Sequence, residues 1–283
     1  MDYYSSSEVQ KELSDFCRGR WVALHCLDAS GKLVFHRYAE GGPLKIDDLK
    51  SIPNLLNFWR RNIRSIYATA NIYKLMRRSE DVYDFSNVQR CTPTWDIDGV
   101  LSNWRETMAI VKEMTGFLSK HGVDKSIYVK WSGNGCHVHI HEKAFSDALL
   151  EKHHPIDLAY AIVGYVNTKL FSRFLEISPD VKTVVENKMD PARVFTCPLS
   201  LHRKLDVACI CMKPIQLDDF MPEWTDPQRF RHNPSWREFR EEEADELAER
   251  AYQAIGGYPL QPMKKRRKTK PLDKQIMTWL QKE

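Results

Sequence analysis

Two aspartates stand one residue apart in a segment that the sequence predicts to be a β-strand. An initial proline, strand-favouring residues and a closing glycine surround them in the order Thr92-Pro-Thr-Trp-Asp-Ile-Asp98-Gly99. Because side chains alternate along a strand, Asp96 and Asp98 share one face, about 7 Å apart by strand rise. Such a pair needs a cation or a basic partner, and Mg²⁺ is often held by carboxylates together with substrate phosphates. The pair therefore predicts a divalent-cation site; the alternative is an exposed acidic strand end.

A second segment joins a glycine-rich turn to a strand that carries two histidines. The turn consists of Ser132, Gly133, Asn134 and Gly135. Its composition allows positive φ, so that successive backbone N–H groups can converge on a phosphate. His137 and His139 follow on one face of the next strand, where a histidine can donate to a phosphate or bind a metal. The alternative is a hairpin turn with solvent-facing histidines.

A third segment combines an aspartate with several groups that suit a polyphosphate. Asp190 is the candidate third carboxylate beside Asp96 and Asp98, with Asp206 as its rival. The donors and cations that follow are Arg193, His202 and Lys204. Arginine, histidine and lysine side chains suit a triphosphate and the charge that develops on it. The alternative is a helix-capping Asp190 followed by a basic surface loop.

The elements that must position these residues follow from hydrophobic periodicity and from turn and cap signals. The predicted helices cover 5–17, 46–62, 102–121, 156–175 and 236–255. The predicted strands cover 21–27, 33–38, 65–72, 92–98, 126–131, 136–140, 181–185, 193–196 and 207–212. This order predicts an α+β fold in which helices cover one face of an RRM-like sheet. We expect a catalytic domain over 1–213, with an N-terminal α/β part (1–90) and an RRM-like part (91–213), then a mainly helical extension (214–283).

The three motifs occur in an order that resembles the archaeo-eukaryotic primase superfamily. They are Asp96-Ile-Asp98, Ser132-Gly-Asn-Gly-Cys-His137, and Asp190…Arg193…Pro198-Leu-Ser-Leu-His202-Arg-Lys204. The aromatic segment Ser65-Ile-Tyr-Ala-Thr-Ala-Asn-Ile-Tyr73 is similar to the strand that precedes the first motif in that family. The resemblance covers roughly 64–212 and is closest to archaeal primase small catalytic subunits and related primase-polymerases.

This resemblance implies a DNA-directed nucleotidyltransferase, a primase or polymerase, with two Mg²⁺ or Mn²⁺ ions held by Asp96, Asp98 and Asp190. One ion would activate a 3′-hydroxyl and the other would neutralise the leaving pyrophosphate. The glycine-rich turn, from Ser132 to Gly135, and His137 would cradle the nucleoside triphosphate. Arg193, Ser200, His202 and Lys204 would add contacts to its phosphates or ribose. The expected partners are single-stranded or primed DNA, nucleoside triphosphates, and a large primase subunit or helicase.

Two other functions fit parts of the sequence. His137-Val-His139 is similar to the metal-binding signature of HUH nucleases, which nick single-stranded DNA through a tyrosine. No tyrosine begins the Tyr-x-x-Lys motif typical of those enzymes, and Asp96 and Asp98 stay unexplained. A non-catalytic RRM-like subunit would stack bases on aromatic side chains, but carboxylates on the same face would repel phosphate.

Composition places limits on the remaining questions. The net charge is +4, and the run 264–270 carries six positive charges, so the rest of the chain sums to −2. The run predicts a nucleic-acid contact or a nuclear address through Lys264, Lys265, Arg266, Arg267 and Lys268. Seven cysteines without a C-x-x-C pair predict neither disulfides nor a structural zinc site, and we expect an intracellular location. No apolar run is long enough to span a bilayer, so a membrane is not an expected partner.

Overall fold

The residues that this computed structural model describes are 3–39, 41–59, 62–179 and 183–259, and they include two larger antiparallel sheets, two small two-stranded sheets and six α-helices. The strands are β1 (Val22–Leu27), β2 (Leu33–His36), β3 (Tyr38–Ala39), β4 (Gly42–Pro43), β5 (Ile63–Thr69), β6 (Asn71–Tyr73), β7 (Val88–Cys91), β8 (Thr94–Asp98), β9 (Ile127–Trp131), β10 (Cys136–Ile140), β11 (Val184–Glu186), β12 (Val194–Thr196) and β13 (Ile210–Met212). The α-helices are α1 (Ser7–Cys17), α2 (Ser51–Phe58), α3 (Trp104–Lys120), α4 (Asp147–Lys152), α5 (Pro155–Ile177) and α6 (Asp245–Ile255). Short 3₁₀ turns cover Tyr3–Ser5, Phe85–Asn87, Leu101–Asn103, Glu142–Ala144, Pro214–Gln216, Pro222–Thr225 and Pro234–Arg237.

The five-stranded sheet has the strand order β11-β8-β10-β9-β13, and helices α3 and α5 pack on one of its faces. Alternation along β8 decides which side chains meet the helices. Trp95 and Ile97 are fully buried, and the Trp95 indole donates to the carbonyl oxygen of Val163 in α5 at 3.3 Å. Asp96 and Asp98 therefore point to the face that the helices leave uncovered. This arrangement confirms the predicted α+β sheet with helices on one face.

The four-stranded sheet has the order β12-β5-β1-β2 and includes the predicted N-terminal hairpin. Strand β12 pairs with β5 in this sheet, whereas β11, just before it, pairs with β8 in the other. The chain between Glu186 and Val194 therefore crosses from one sheet to the other. Lys188, Asp190 and Arg193 lie on this crossing, so the third motif stands where the two sheets face each other.

Several predicted helices differ from the observed ones. The second helix is limited to Ser51–Phe58, with Pro53 in its first turn, where the missing N–H costs no hydrogen bond. The predicted helix over 236–255 begins only at Asp245, which is an error of nine residues. Upstream, Trp236 and Arg237 instead donate to the Glu12 carboxylate in α1, and these tertiary contacts replace helical ones. The basic run 264–270 lies outside the described residues.

Ionic contacts to the buried Glu12 fasten the extension to the N-terminal helix α1. Glu12 of α1 accepts from His232 at 2.6 Å and from Arg237 at 2.6 Å. Although burial alone would raise the pKa of Glu12, these hydrogen bonds lower it below its ordinary value, so the carboxylate stays charged. None of the helices in the described ranges has the length and apolar character that crossing a bilayer requires.

Candidate functional site

The first motif lies at the end of β8, between the second motif on β10 and a strand from the third segment. In the strand register, Asp96 stands opposite His137 of β10 on one side and Glu186 of β11 on the other. The Asp96 side chain is 10% exposed, whereas that of Asp98 is 65% exposed at the strand end. Glu186 therefore brings a third carboxylate to the edge that Asp96 and Asp98 occupy.

A lysine ammonium group occupies the centre of these three carboxylates. The Nζ atom of Lys188 lies 2.9 Å from Asp96 Oδ2, 2.5 Å from Asp98 Oδ2 and 2.8 Å from Glu186 Oε2. Burial alone would lower the pKa of Lys188, but its hydrogen bonds to the three carboxylates outweigh burial and raise it. Lys188 is therefore fully charged at neutral pH and acts as a cation among oxygen ligands.

Asp96 has two further donors besides Lys188. His137 Nε2 lies 3.2 Å from Asp96 Oδ1, and Arg193 Nη2 lies 3.1 Å from Asp96 Oδ2. Burial alone would raise the pKa of Asp96, but the hydrogen bonds from His137 and Lys188 hold it well below its ordinary value. Burial lowers the pKa of His137, which is therefore a neutral imidazole that donates from Nε2 to the Asp96 carboxylate. Its buried Nδ1 has no hydrogen-bond partner within the described part of the chain.

The glycine-rich turn packs directly against the backbone of β8. A Cβ atom on Gly135 would lie 2.3 Å from the Ile97 carbonyl oxygen, so only glycine fits there. Gly133 has φ of +130° and packs against the His202 ring, which brings the second and third motifs together. The Ser132 amide donates to the Gly135 carbonyl at 2.9 Å, so this N–H closes the turn. Ser132 lines the cleft, and Asn134 is exposed.

Of the two candidate carboxylates in the third segment, one lines the cleft and the other does not. Asp190 lines the same cleft as Asp96 and Asp98, and its Oδ1 accepts from the Ala192 amide at 2.7 Å in a turn, not in a helix cap. Its rival Asp206 is 87% exposed and pairs with Arg64 at 3.4 Å, away from the cleft.

Ser200 does not reach the cleft, in contrast to its predicted role. It is fully buried, and its hydroxyl accepts from the Ile66 amide at 2.7 Å, so it serves the fold. His202 lines the cleft, and burial together with the neighbouring cations Arg203 and Arg64 lowers its pKa to about 4. His202 is therefore neutral at pH 7. Lys204 is exposed and does not line the cleft, whereas the adjacent Arg203 does.

The cleft has a volume of about 740 Å³ and lies between the two sheets. It is lined by His25, Phe35, Arg37, Tyr67, Asp96, Asp98, Ser132, His137, Lys188, Asp190, Ala192, Arg193, Val194, Thr196, His202 and Arg203. Acidic side chains lie at one end, basic ones stand around them, and an aromatic group extends along the four-stranded sheet. In that group the Tyr67 hydroxyl is 3.1 Å from His25 Nδ1, and the His25 and Phe35 rings are 4.9 Å apart.

Sequence reasoning missed four charged residues at or beside this cleft, namely Arg37, Glu186, Lys188 and Arg203. Glu186 and Lys188 are two residues apart just after a predicted strand, a spacing that could have placed them on one face. Arg37 covers the Trp21 ring at 3.4 Å, and its buried Nε and Nη2 atoms have no hydrogen-bond partner among the residues that the structure describes. In the described ranges no three histidine, cysteine or acidic side chains are already arranged to hold a metal ion.

Comparisons with known proteins find a likeness in structure only. No family model and no curated protein matches the sequence. Among solved structures, the fold is similar to the polymerase domain from Mycobacterium tuberculosis Ligase D in complex with DNA, with a TM-score of 0.56 and 13% identity. The match covers 90% of this chain and 88% of that chain, so it includes nearly the whole architecture. The predicted α+β fold is thereby confirmed, and it is shared with that polymerase domain.

Proposed function

We propose that this chain is a DNA-directed nucleotidyltransferase, a primase or polymerase that adds nucleotides to a 3′-hydroxyl on a DNA template. The observation that carries the proposal is the convergence of Asp96, Asp98 and Glu186 on one cation, Lys188 Nζ, inside a cleft lined by basic groups. The shared fold with a polymerase domain that was solved in complex with DNA supports the same class of reaction.

The donor set suits Mg²⁺ or Mn²⁺, because carboxylate oxygens are hard ligands and already surround a positive charge. Asp96 and Asp98 would hold the ions, with Glu186 or Asp190 as the third carboxylate. When bound, two such ions supply activation of the 3′-hydroxyl and neutralisation of the leaving pyrophosphate. The identity of the ions, Mg²⁺ or Mn²⁺, belongs to the proposal.

The chain's own residues would bind and orient the substrates. Arg193 and Arg203 line the cleft and suit phosphate oxygens, since guanidinium groups donate in a planar fork. His202 is neutral and so could contact a ribose or phosphate by hydrogen bonding without adding charge. Neutral His137 fixes the Asp96 carboxylate in its ionised form. Phosphoryl transfer depends mainly on such positioning and charge stabilisation.

The two alternative functions have less support. A HUH nuclease would need both histidines at the metal, but His139 is buried, stacks on Tyr128 and does not line the cleft. A non-catalytic RRM-like subunit would not need the carboxylates at the acidic end of the cleft, which would repel the phosphates of a nucleic acid. Both alternatives remain outcomes of the test below.

The test is primer extension by the purified full chain with Mg²⁺ or Mn²⁺, a primed DNA template and labelled nucleotides. Asp96→Asn and Asp98→Asn should each abolish extension, because each removes a charged oxygen from the metal-binding end. Asp206→Asn is the matched control, since this carboxylate is exposed and outside the cleft, and it should retain full activity. Circular dichroism must show that each variant is folded.

Three results would contradict the proposal. Nicked single strands covalently joined to the protein would indicate a HUH nuclease, and DNA binding without incorporation would indicate a binding subunit. Equal activity in Asp96→Asn and Asp206→Asn would show that the acidic end does not catalyse. Comparing Glu186→Gln with Asp190→Asn then identifies the third carboxylate, and the strand register predicts the larger loss for Glu186→Gln.

A further inference from the structure

The position of Lys188 has a consequence for how the acidic end of the cleft would load metal. One oxygen of each of three carboxylates contacts the same ammonium group, at 2.5 to 2.9 Å. We propose that Lys188 is a built-in counter-ion that a divalent cation must displace, so that this residue sets the metal concentration at which the site fills. The identity of the ion rests on the proposed function.

Displacement follows because both cations require the same oxygen atoms. Asp96 Oδ2 and Asp98 Oδ2 contact Lys188 Nζ, and both aspartates line the cleft, so a divalent cation bound there would need these same oxygen atoms. A divalent cation bound to these oxygens would lie close to the Lys188 ammonium group, and the two positive charges would repel each other strongly. Only the fraction of molecules in which Lys188 has left the carboxylates can therefore bind metal. The apparent metal affinity is the intrinsic affinity multiplied by that fraction.

Lys188 is the group suited to this role, and Arg193 is not. Among the described residues only Lys188 contacts all three carboxylates, whereas Arg193 contacts Asp96 alone and is 37% exposed. The lysine side chain has a flexible four-carbon stem, and Lys188 itself lines the cleft. Once displaced, its ammonium group remains in the cleft, where it can contact an anionic substrate. Lys188 thus acts as a positioning residue that exchanges between carboxylates and substrate.

The test measures Mn²⁺ binding directly, by titration calorimetry and by electron paramagnetic resonance of free Mn²⁺, on the full chain without nucleotide or DNA. Lys188→Met removes the charge and keeps much of the side chain. We expect Mn²⁺ to bind about tenfold more tightly than to the wild type, because the competing cation is gone. Lys112→Met is the matched control: it removes a positive charge from α3, where Lys112 pairs with Asp218, and should leave Mn²⁺ affinity unchanged.

Thermal unfolding provides an independent measurement. Without metal, Lys188→Met should melt below the wild type, because three carboxylates then repel one another. Saturating Mn²⁺ should raise the melting temperature of Lys188→Met by more than it raises that of the wild type. If Lys188→Met is not folded at the assay temperature, Lys188→Gln, which keeps one donor without the charge, gives the same comparison.

The outcomes separate this inference from the proposed function. Unchanged or weaker Mn²⁺ binding in the Lys188 variants overturns the inference, even where the wild type extends primers. Absence of Mn²⁺ binding in both wild type and variants also overturns it, since nothing then displaces the lysine. Tighter binding in Lys188→Met but not in Lys112→Met supports the inference, even if no protein form extends a primer and the proposed function fails.

Discussion

Arg20 offers the most demanding test of how this fold is held together. It follows α1, is 2% exposed, and donates to atoms from four other parts of the chain. These are Phe16 O at 3.0 Å, Thr69 O at 3.0 Å, Ala70 O at 2.9 Å, Thr92 Oγ1 at 3.0 Å and Glu142 Oε2 at 3.0 Å. Arg20→Met removes all of these donors while keeping a long apolar side chain. Because Thr92 leads into β8, the change also tests how the strand bearing Asp96 is anchored.

The expected magnitude follows from Glu142, the buried partner of Arg20. Burial alone would raise the pKa of Glu142, but the charge of Arg20, together with His141 and the hydrogen bonds that the carboxylate accepts, outweighs burial and lowers the pKa from 4.5 to about 2. A difference of about 2.5 in pKa corresponds to about 3 kcal/mol of stability. This agrees with the loss of about 3–5 kcal/mol expected when one partner of a buried ion pair is removed.

The sign of the pH dependence is fixed by the lowered pKa of Glu142. Its contribution to stability is fully present above pH 4.5 and is lost as pH falls towards 2. In Arg20→Met this contribution is missing, so the stability difference between wild type and variant should be largest at neutral pH. It should shrink as the pH falls below 4.5.

The assay is urea unfolding followed by tryptophan fluorescence, at pH 7 and in steps down to pH 3. Arg173→Met is the control, because Arg173 is 52% exposed and pairs with the surface residues Glu113 and Glu176. It should change stability by less than about 1 kcal/mol. The reasoning is refuted if Arg20→Met costs no more than Arg173→Met, or if the stability difference does not depend on pH.

Two further pairs of variants test the turn and the cleft. Gly135→Ala would place a methyl group 2.3 Å from the Ile97 carbonyl oxygen and should lower stability by about 1–3 kcal/mol by thermal unfolding. Gly116→Ala, in a helix with nothing within 4 Å, should instead raise stability by about 0.5–1 kcal/mol, and equal effects would contradict the assigned close contact. Arg203→Met should weaken DNA binding and reduce its salt dependence by about one phosphate contact. Lys204→Met should have the smaller effect because Lys204 lies outside the cleft, and the reverse order would contradict the assigned lining.

Local sequence signals were sufficient for the elements that carry the first two motifs. Proline, alternation and a closing glycine predicted β8, and the structure has it at Thr94–Asp98 with Asp96 and Asp98 on the face away from the helices. The glycine-rich turn between β9 and β10 was predicted for the same reason. Both features depend on interactions within a few residues, which a single sequence records well.

Contacts between distant segments could not be predicted in this way. Glu186 meets Asp96 only because β11 pairs with β8 in one particular register, and nothing local specifies that pairing. Leu199 has φ of +55°, a conformation that its residue type does not favour, and it fixes the loop in which Ser200 turns inward. Likewise, Trp236 and Arg237 donate to the distant Glu12, and these contacts replace the helix that the local sequence favours.

The acidic and basic side chains of the cleft pair with each other in the protein alone. His137 and Lys188 hold Asp96 ionised, and Arg193 pairs with the same carboxylate, so much of the basic lining is engaged with carboxylates in the protein alone. Under the proposed function, a triphosphate could not use those donors while they are so engaged, and carboxylates without cations would repel it. Divalent cations at the acidic end would satisfy the carboxylates and release lysine and arginine for the phosphates. Metal and nucleotide should therefore bind with positive coupling, each raising the affinity of the other by the same factor.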